Sequence, residues 1–248
     1  MGLKKAVDVF SIILSKVLMI AVVVMVVYWT VSTDMLGGLA WYYQPGSYIM
    51  ENTHTLLMVL GMVVLFGEAA IVYRVFRNFD RFKVKILHAI LLSLGVACIV
   101  MGIYLIFNHH NKNVDGEKNL YSTHSWIGIV TIIVFGLQFL LGFFIFLFPG
   151  GSARIRAGYL KLHQFFGPTL LVGVFGSCIS GINEKLQYEP GYGTLQPPYI
   201  QLGNYLGVVI MGYITSVLWI IFSVEKQKPI SKPVMNGNEN KEADVTSL

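Results

Sequence analysis

The sequence predicts an all-α protein, a six-transmembrane helix bundle, and two observations carry that prediction. The chain has 248 residues, of which 55% are hydrophobic and 12% charged, with mean hydropathy +0.65; soluble domains carry about 25% charged residues. Its low-charge stretches are each long enough for the roughly 20 residues that a helix needs to cross the hydrocarbon core of a bilayer. The same composition excludes a soluble globular domain, a disordered chain and a disulfide scaffold. Cys98 and Cys178 both lie in apolar runs and read as small packing residues. The net charge of +5 is dispersed, so no nucleic-acid partner is expected.

Taken in order, the spans are expected at residues 10–32, 48–73, 86–107, 122–148, 162–183 and 202–223. The first follows Lys4 and Lys5 as a signal peptide would, but it runs long and lacks a small-x-small cleavage site, so it reads as an uncleaved anchor. Ala6 breaks the myristoylation pattern. The domain plan is an N-terminal segment at 1–9, a membrane domain at 10–223 and a polar tail at 224–248, expected to be disordered. The tail's final Thr246-Ser247-Leu248 reads either as a chance match of three residues or as a ligand for a carboxylate-capturing domain. Fifteen of the eighteen lysines and arginines fall on one side of this plan, and only Lys112, Lys118 and Lys185 on the other. Cytoplasmic loops collect such residues, which predicts both termini in the cytosol.

Four of the six histidines, His54, His88, His124 and His163, fall one per helix in spans two to five. Ionisable groups at membrane depth are costly and mark function. Because successive spans run in opposite directions, His54 and His124 lie near the outer ends of their helices and His88 and His163 near the inner ends. The bundle core of helices two to five then holds two histidine pairs at two depths, each suited to be the axial pair of a b haem. Fourteen positions make almost four helical turns and advance about 21 Å, so the residues fourteen beyond each histidine should meet the other haem: Glu68, Gly102, Gln138 and Ser177. Glu68 and Gln138 read either as interhelical hydrogen-bond partners or as haem-contacting, proton-managing groups, with Arg74 placed beside them; Glu68 is alternatively a partner of Lys16 or Arg74. Gly61 and Gly95, seven positions on, serve either a macrocycle or plain helix packing.

At the inner rim Arg81, Lys83 and Lys85 lead into His88, while Arg154, Arg156 and Lys161 lead into His163. This convergence suits an anionic small-molecule donor and haem propionates. At the outer rim Phe107, His109 and His110 end span three, and Tyr121 precedes His124 by three residues. These groups are either solvated loop residues or a seat for an electron acceptor or its metal.

The stretches AIVYRVFRN at 70–78, KILH at 85–88, FNHHN at 107–111, LYSTHSWIG at 120–128, GFFIFLFPG at 142–150, RIRAGYLKLHQFFG at 154–167 and GINEKL at 181–186 resemble the cytochrome b561 family of two-haem transmembrane ascorbate oxidoreductases. The resemblance runs from about residue 38 to 219. It implies two haem b groups, on His54/His124 and His88/His163, and cytosolic ascorbate held by Lys83, Lys85 and Arg156, with Arg154 and Tyr159. It also implies monodehydroascorbate or a ferric chelate as outer acceptor, near His110, Tyr121 and Asn183, a homodimer, and a vesicle, endosomal or plasma membrane. The catalytic candidates are His110, Tyr121 and Lys83. Thr55 departs from the proline that often follows the outer ligand in animal relatives, and the doubled His109-His110 leaves the outer histidine's match open by one residue.

Three rival readings fare worse. A histidine-based transition-metal transporter without haem would need its ligands in one site, yet the pairs lie about 20 Å apart by helix rise. A respiratory-type cytochrome b would place two ligands on one helix. A helical adaptor working through its tail leaves the four histidines unexplained.

Overall fold

A computed structural model describes residues 3–45, 47, 49–112, 118–194 and 197–224; the expected tail from 225 onward lies outside the described residues. Six long helices make up the described part: α1 (Leu3–Val31), α2 (Ile49–Val75), α3 (Arg81–Lys112), α4 (Thr123–Leu147), α5 (Ala153–Gln187) and α6 (Pro198–Ser223). All six are long and apolar enough to span a bilayer, where only a helix or a closed barrel can satisfy its own backbone. The chain is an integral, multi-pass membrane protein. Outward faces carry Val24, Val100, Val130, Val172 and Phe222, all more than half exposed, as suits a hydrocarbon solvent.

The charged rims are helical too. The low-charge windows start span three at 86 and span five at 162, whereas α3 begins at Arg81 and α5 at Ala153. Hydropathy sees only the apolar middle, while capping sets the helix ends. The Asp80 carboxylate accepts from the Lys83 amide at 3.0 Å to start α3. Ser122 and Ser125 form a reciprocal capping box on α4, and Ser152 caps α5. Pro197 and Pro198 open α6, where a missing N–H costs nothing.

Helices α2 and α3 pack as one antiparallel pair, and α4 and α5 as another; the two pairs touch each other at few points. Along the α2–α3 seam a side chain at Gly61 would meet the Cys98 Cβ at 2.9 Å and the Gly95 carbonyl at 3.1 Å. Gly61 and Gly95 therefore serve close helix packing. Both cysteines are free.

Helices α1 and α6 flank this core and pack mainly on each other, with Trp29, Tyr213, Leu206 and Ile210 fully buried. The Trp29 indole donates to the Tyr199 carbonyl at 2.8 Å. Polar ties fix them to α2 at the basic end: Lys16 pairs with Glu68, Tyr213 donates to Glu68 at 3.1 Å, and Arg77 lies 3.5 Å from Asp8. Arg74 donates to the Ile221 and Val224 carbonyls at the end of α6, groups that a helix C-terminus leaves without partners.

Two segments depart from α geometry: Val59–Leu65 in α2 and Phe143–Leu147 in α4 are π-helical. Each widens the helix locally, and the first lies between the two depths at which the histidines sit.

Candidate functional site

The histidines meet in the pairs that helix direction predicts. The His54 and His124 ring centres are 6.3 Å apart and nearly perpendicular, at 83°; those of His88 and His163 are also 6.3 Å apart, at 71°. Each pair joins one helix of the α2–α3 hairpin to one of the α4–α5 hairpin, so both straddle the cleft between them.

Three of the four rings are braced by the backbone of their own hairpin partner. His54 Nδ1 lies 2.9 Å from the Gly102 carbonyl on α3, His88 Nδ1 2.8 Å from the Ala69 carbonyl on α2, and His124 Nδ1 2.9 Å from the Ser177 carbonyl on α5. A carbonyl only accepts, so each Nδ1 carries the hydrogen and each Nε2 keeps the lone pair that a metal ligand needs. The fourth helix turn is held differently: Gln138 donates to the His163 backbone carbonyl at 3.1 Å and accepts from the Tyr159 hydroxyl.

The fourteen-residue rule thus finds Gly102, Gln138 and Ser177 beside the histidine at the other depth. On α2 the residue that braces the histidine is Ala69, the fifteenth position. The π segment there holds one residue more than an α-helix of the same reach, so position 69 takes the place reserved for 68. Glu68 is turned instead toward Lys16 and Tyr213.

At the end of the bundle away from the N-terminus, a cavity is walled by His54 and His124 together with Phe107, His110, Tyr121, Glu51, Glu184, Lys185 and Tyr188. His110 Nδ1 lies 3.2 Å from the Asn119 Oδ1, and the Tyr121 hydroxyl donates to Glu184 at 2.7 Å and meets the Tyr188 hydroxyl at 3.1 Å. His109 is buried beside the cavity rather than in its wall, its Nε2 3.4 Å from Glu51 Oε1. The doubled histidine is thereby divided between two environments. Asn183 accepts from the Tyr192 hydroxyl at 3.2 Å and is not part of the wall.

At the opposite, basic end, Lys85 donates to the Phe146 carbonyl at 3.3 Å and stands within electrostatic reach of Arg156. The Arg156 Nε is buried without a hydrogen-bond partner. Lys83 and Arg154 are exposed beside them, and the Tyr159 ring stacks between Phe146, at 5.7 Å, and His163, at 5.9 Å. Arg74 is engaged with α6, and Glu68 with α1 and α6.

Comparison with known proteins decides the family. Residues 53–189, more than half of the chain and including all four paired histidines, match the model of the eukaryotic cytochrome b561 family. The chain is a cytochrome b561. It is 38% identical over 196 residues to the transmembrane ascorbate-dependent reductase CYB561 of Ovis aries, covering 78% of this chain and 75% of that protein. It is 41% identical over 226 residues to the lysosomal membrane ascorbate-dependent ferrireductase CYB561A3 of Danio rerio, covering 88% and 89%. The corresponding Mus musculus ferrireductase is 38% identical over 201 residues, covering 78% and 80%.

A cytochrome b561 binds haem b, and the residues present fit that group. Two imidazoles on opposite sides of one metal ion, each at the usual bond length of about 2 Å, place their ring centres roughly 6 Å apart. Among the described residues no three His, Cys, Asp or Glu side chains are placed to hold a metal ion by themselves. Each histidine pair supplies two ligands, which suits an ion whose remaining four positions a macrocycle fills. Glycines make room for two of the rings: a Cβ at Gly181 would meet the His124 ring at 2.6 Å, and one at Gly142 the His163 ring at 3.2 Å.

Sequence reasoning missed the half-buried charges at the cavity wall of this cytochrome b561. Lys185 lies 3.1 Å from Glu51 and 3.4 Å from Glu189. The signal was available: Glu51 stands one turn before His54, and Lys185 is one of only three lysines and arginines expected on its side of the membrane.

Proposed function

We propose that this cytochrome b561 carries electrons from cytosolic ascorbate across the membrane to an acceptor on the far side, monodehydroascorbate or a ferric chelate. The observation that supports this reading is the pair of facing histidine sites at two depths in one cleft. His88 and His163 hold the inner b haem and His54 and His124 the outer one. When bound, these groups supply reversible one-electron chemistry at iron.

The protein's own residues do the rest. At the cytosolic rim Lys83, Lys85, Arg154 and Arg156 attract and orient the ascorbate monoanion, a point charge and fork arrangement suited to enolate oxygens. Tyr159 closes that side. The buried Arg156 Nε supplies a donor with no partner in the protein, and water takes the proton that ascorbate releases on oxidation. The carbonyls of Gly102, Ala69 and Ser177 fix three ligand rings in one tautomer and orientation. On the far side His110 and Tyr121 line the cavity and hold the acceptor near the outer pair. Both termini face the cytosol in a vesicle, endosomal or plasma membrane, and the protein works as a homodimer.

A visible spectrum tests the reading. Ascorbate added to the purified, haem-loaded protein is expected to raise a sharp reduced b-type α-band, with about two haems per chain by extraction. No band on ascorbate addition would overturn the function.

A further inference from the structure

The four ligand histidines are not held alike. His54, His88 and His124 each give their Nδ1–H to a carbonyl at 2.8–2.9 Å, whereas His163 Nδ1 is buried without a hydrogen-bond partner. The space beside it belongs to Gly142, whose Cβ, were there one, would lie 3.2 Å from Cε1 and 3.6 Å from Nδ1. The nearest rings, Phe146 at 5.4 Å and Tyr159 at 5.9 Å, are edge-on or tilted neighbours. His163 is secured through its backbone, by the Gln138 amide that Tyr159 in turn orients.

The difference has an electronic consequence. An acceptor on Nδ1–H draws the proton partly away from the ring and makes Nε2 the stronger donor to iron. A stronger axial donor favours the ferric state, and hydrogen bonding beyond the ligand is one of the levers by which proteins set haem potentials. A ring without that acceptor is the weaker donor.

We propose that Gln138 and Gly142 make His163 the one weak donor of the four, with Gln138 a positioning residue that holds its helix turn and Gly142 a gap where an acceptor would stand. The inner ligand pair then biases its haem toward the reduced state relative to the outer pair, at the site where electrons enter. This inference rests on the two pairs being haem ligands, as proposed above.

Gly142→Ser and Gly142→Ala test it in redox titrations of the purified haem-loaded protein. Both add the same Cβ, but only the serine hydroxyl accepts from Nδ1–H. The expected result is a downward shift of one midpoint of two in Gly142→Ser, with both midpoints unmoved in Gly142→Ala. Equal shifts in the two variants, or none in either, overturn the proposal. A second measurement needs no variant: pulsed EPR of the exchangeable imidazole N–H deuterons in the unmodified protein should give three hydrogen-bonded couplings and one distinct coupling, and four alike overturn it. Should the unmodified protein lack two bis-imidazole haems, the function itself fails; should it hold them while the variants behave alike, only this inference falls.

Discussion

The Nδ1 of His88 lies 2.8 Å from the carbonyl oxygen of Ala69, fifteen positions after His54 where a regular helix would present the fourteenth. The extra residue is absorbed by the π segment Val59–Leu65, and a local change in winding thereby decides which side chain of α2 faces the cleft. Ala69 supplies the brace, and Glu68 is a tie to α1 and α6.

Deleting one residue within Val59–Leu65 should convert the π turn to α and leave both flanks in register. Deleting one residue in the regular turns at 66–75 should rotate the following face by about 100° and part Ala69 from His88. Haem content after purification is expected to survive the first deletion and to fall in the second; equal losses would refute the register argument.

Glu68→Gln removes the charge partner of Lys16 and weakens the Tyr213 contact. The pair is partly exposed, so the expected loss is about 1 kcal/mol of stability. Thermal unfolding in detergent should shift down while both haem midpoints stay where they were. A moved midpoint with unchanged stability would return Glu68 to the haem.

Gly181→Ala forces a methyl to within 2.6 Å of the His124 ring. Overpacking of this kind costs about 1–3 kcal/mol, and here it should displace the imidazole and deplete the outer haem. Gly136→Ala, with nothing within 4 Å, is the control and should leave the spectrum unchanged.

His88→Ala should halve the haem content and retain the His54/His124 signal in EPR. Retention of both signals would sink the pairing.

Lys83→Ala should raise the KM for ascorbate several-fold on the cytosolic side and flatten its dependence on salt, because an exposed cation acts through a screened field. Stopped-flow reduction of oriented vesicles separates this from any effect on the far side, where no change is expected.

Apolar runs by themselves determined six helices, since a bilayer leaves a backbone little choice. The alternating direction of those helices paired His54 with His124 and His88 with His163 before any contact was known. Regular α periodicity was enough to bring Gly102, Gln138 and Ser177 to the opposite depth. Tertiary structure alone decided what periodicity cannot express: the π turn that substitutes Ala69 for Glu68, the gap at Gly142 that leaves His163 unbraced, and the burial of His109 against Glu51 while His110 lines the cavity. Each depends on how two helices crowd one another, and crowding is a property of neighbours far apart in the chain.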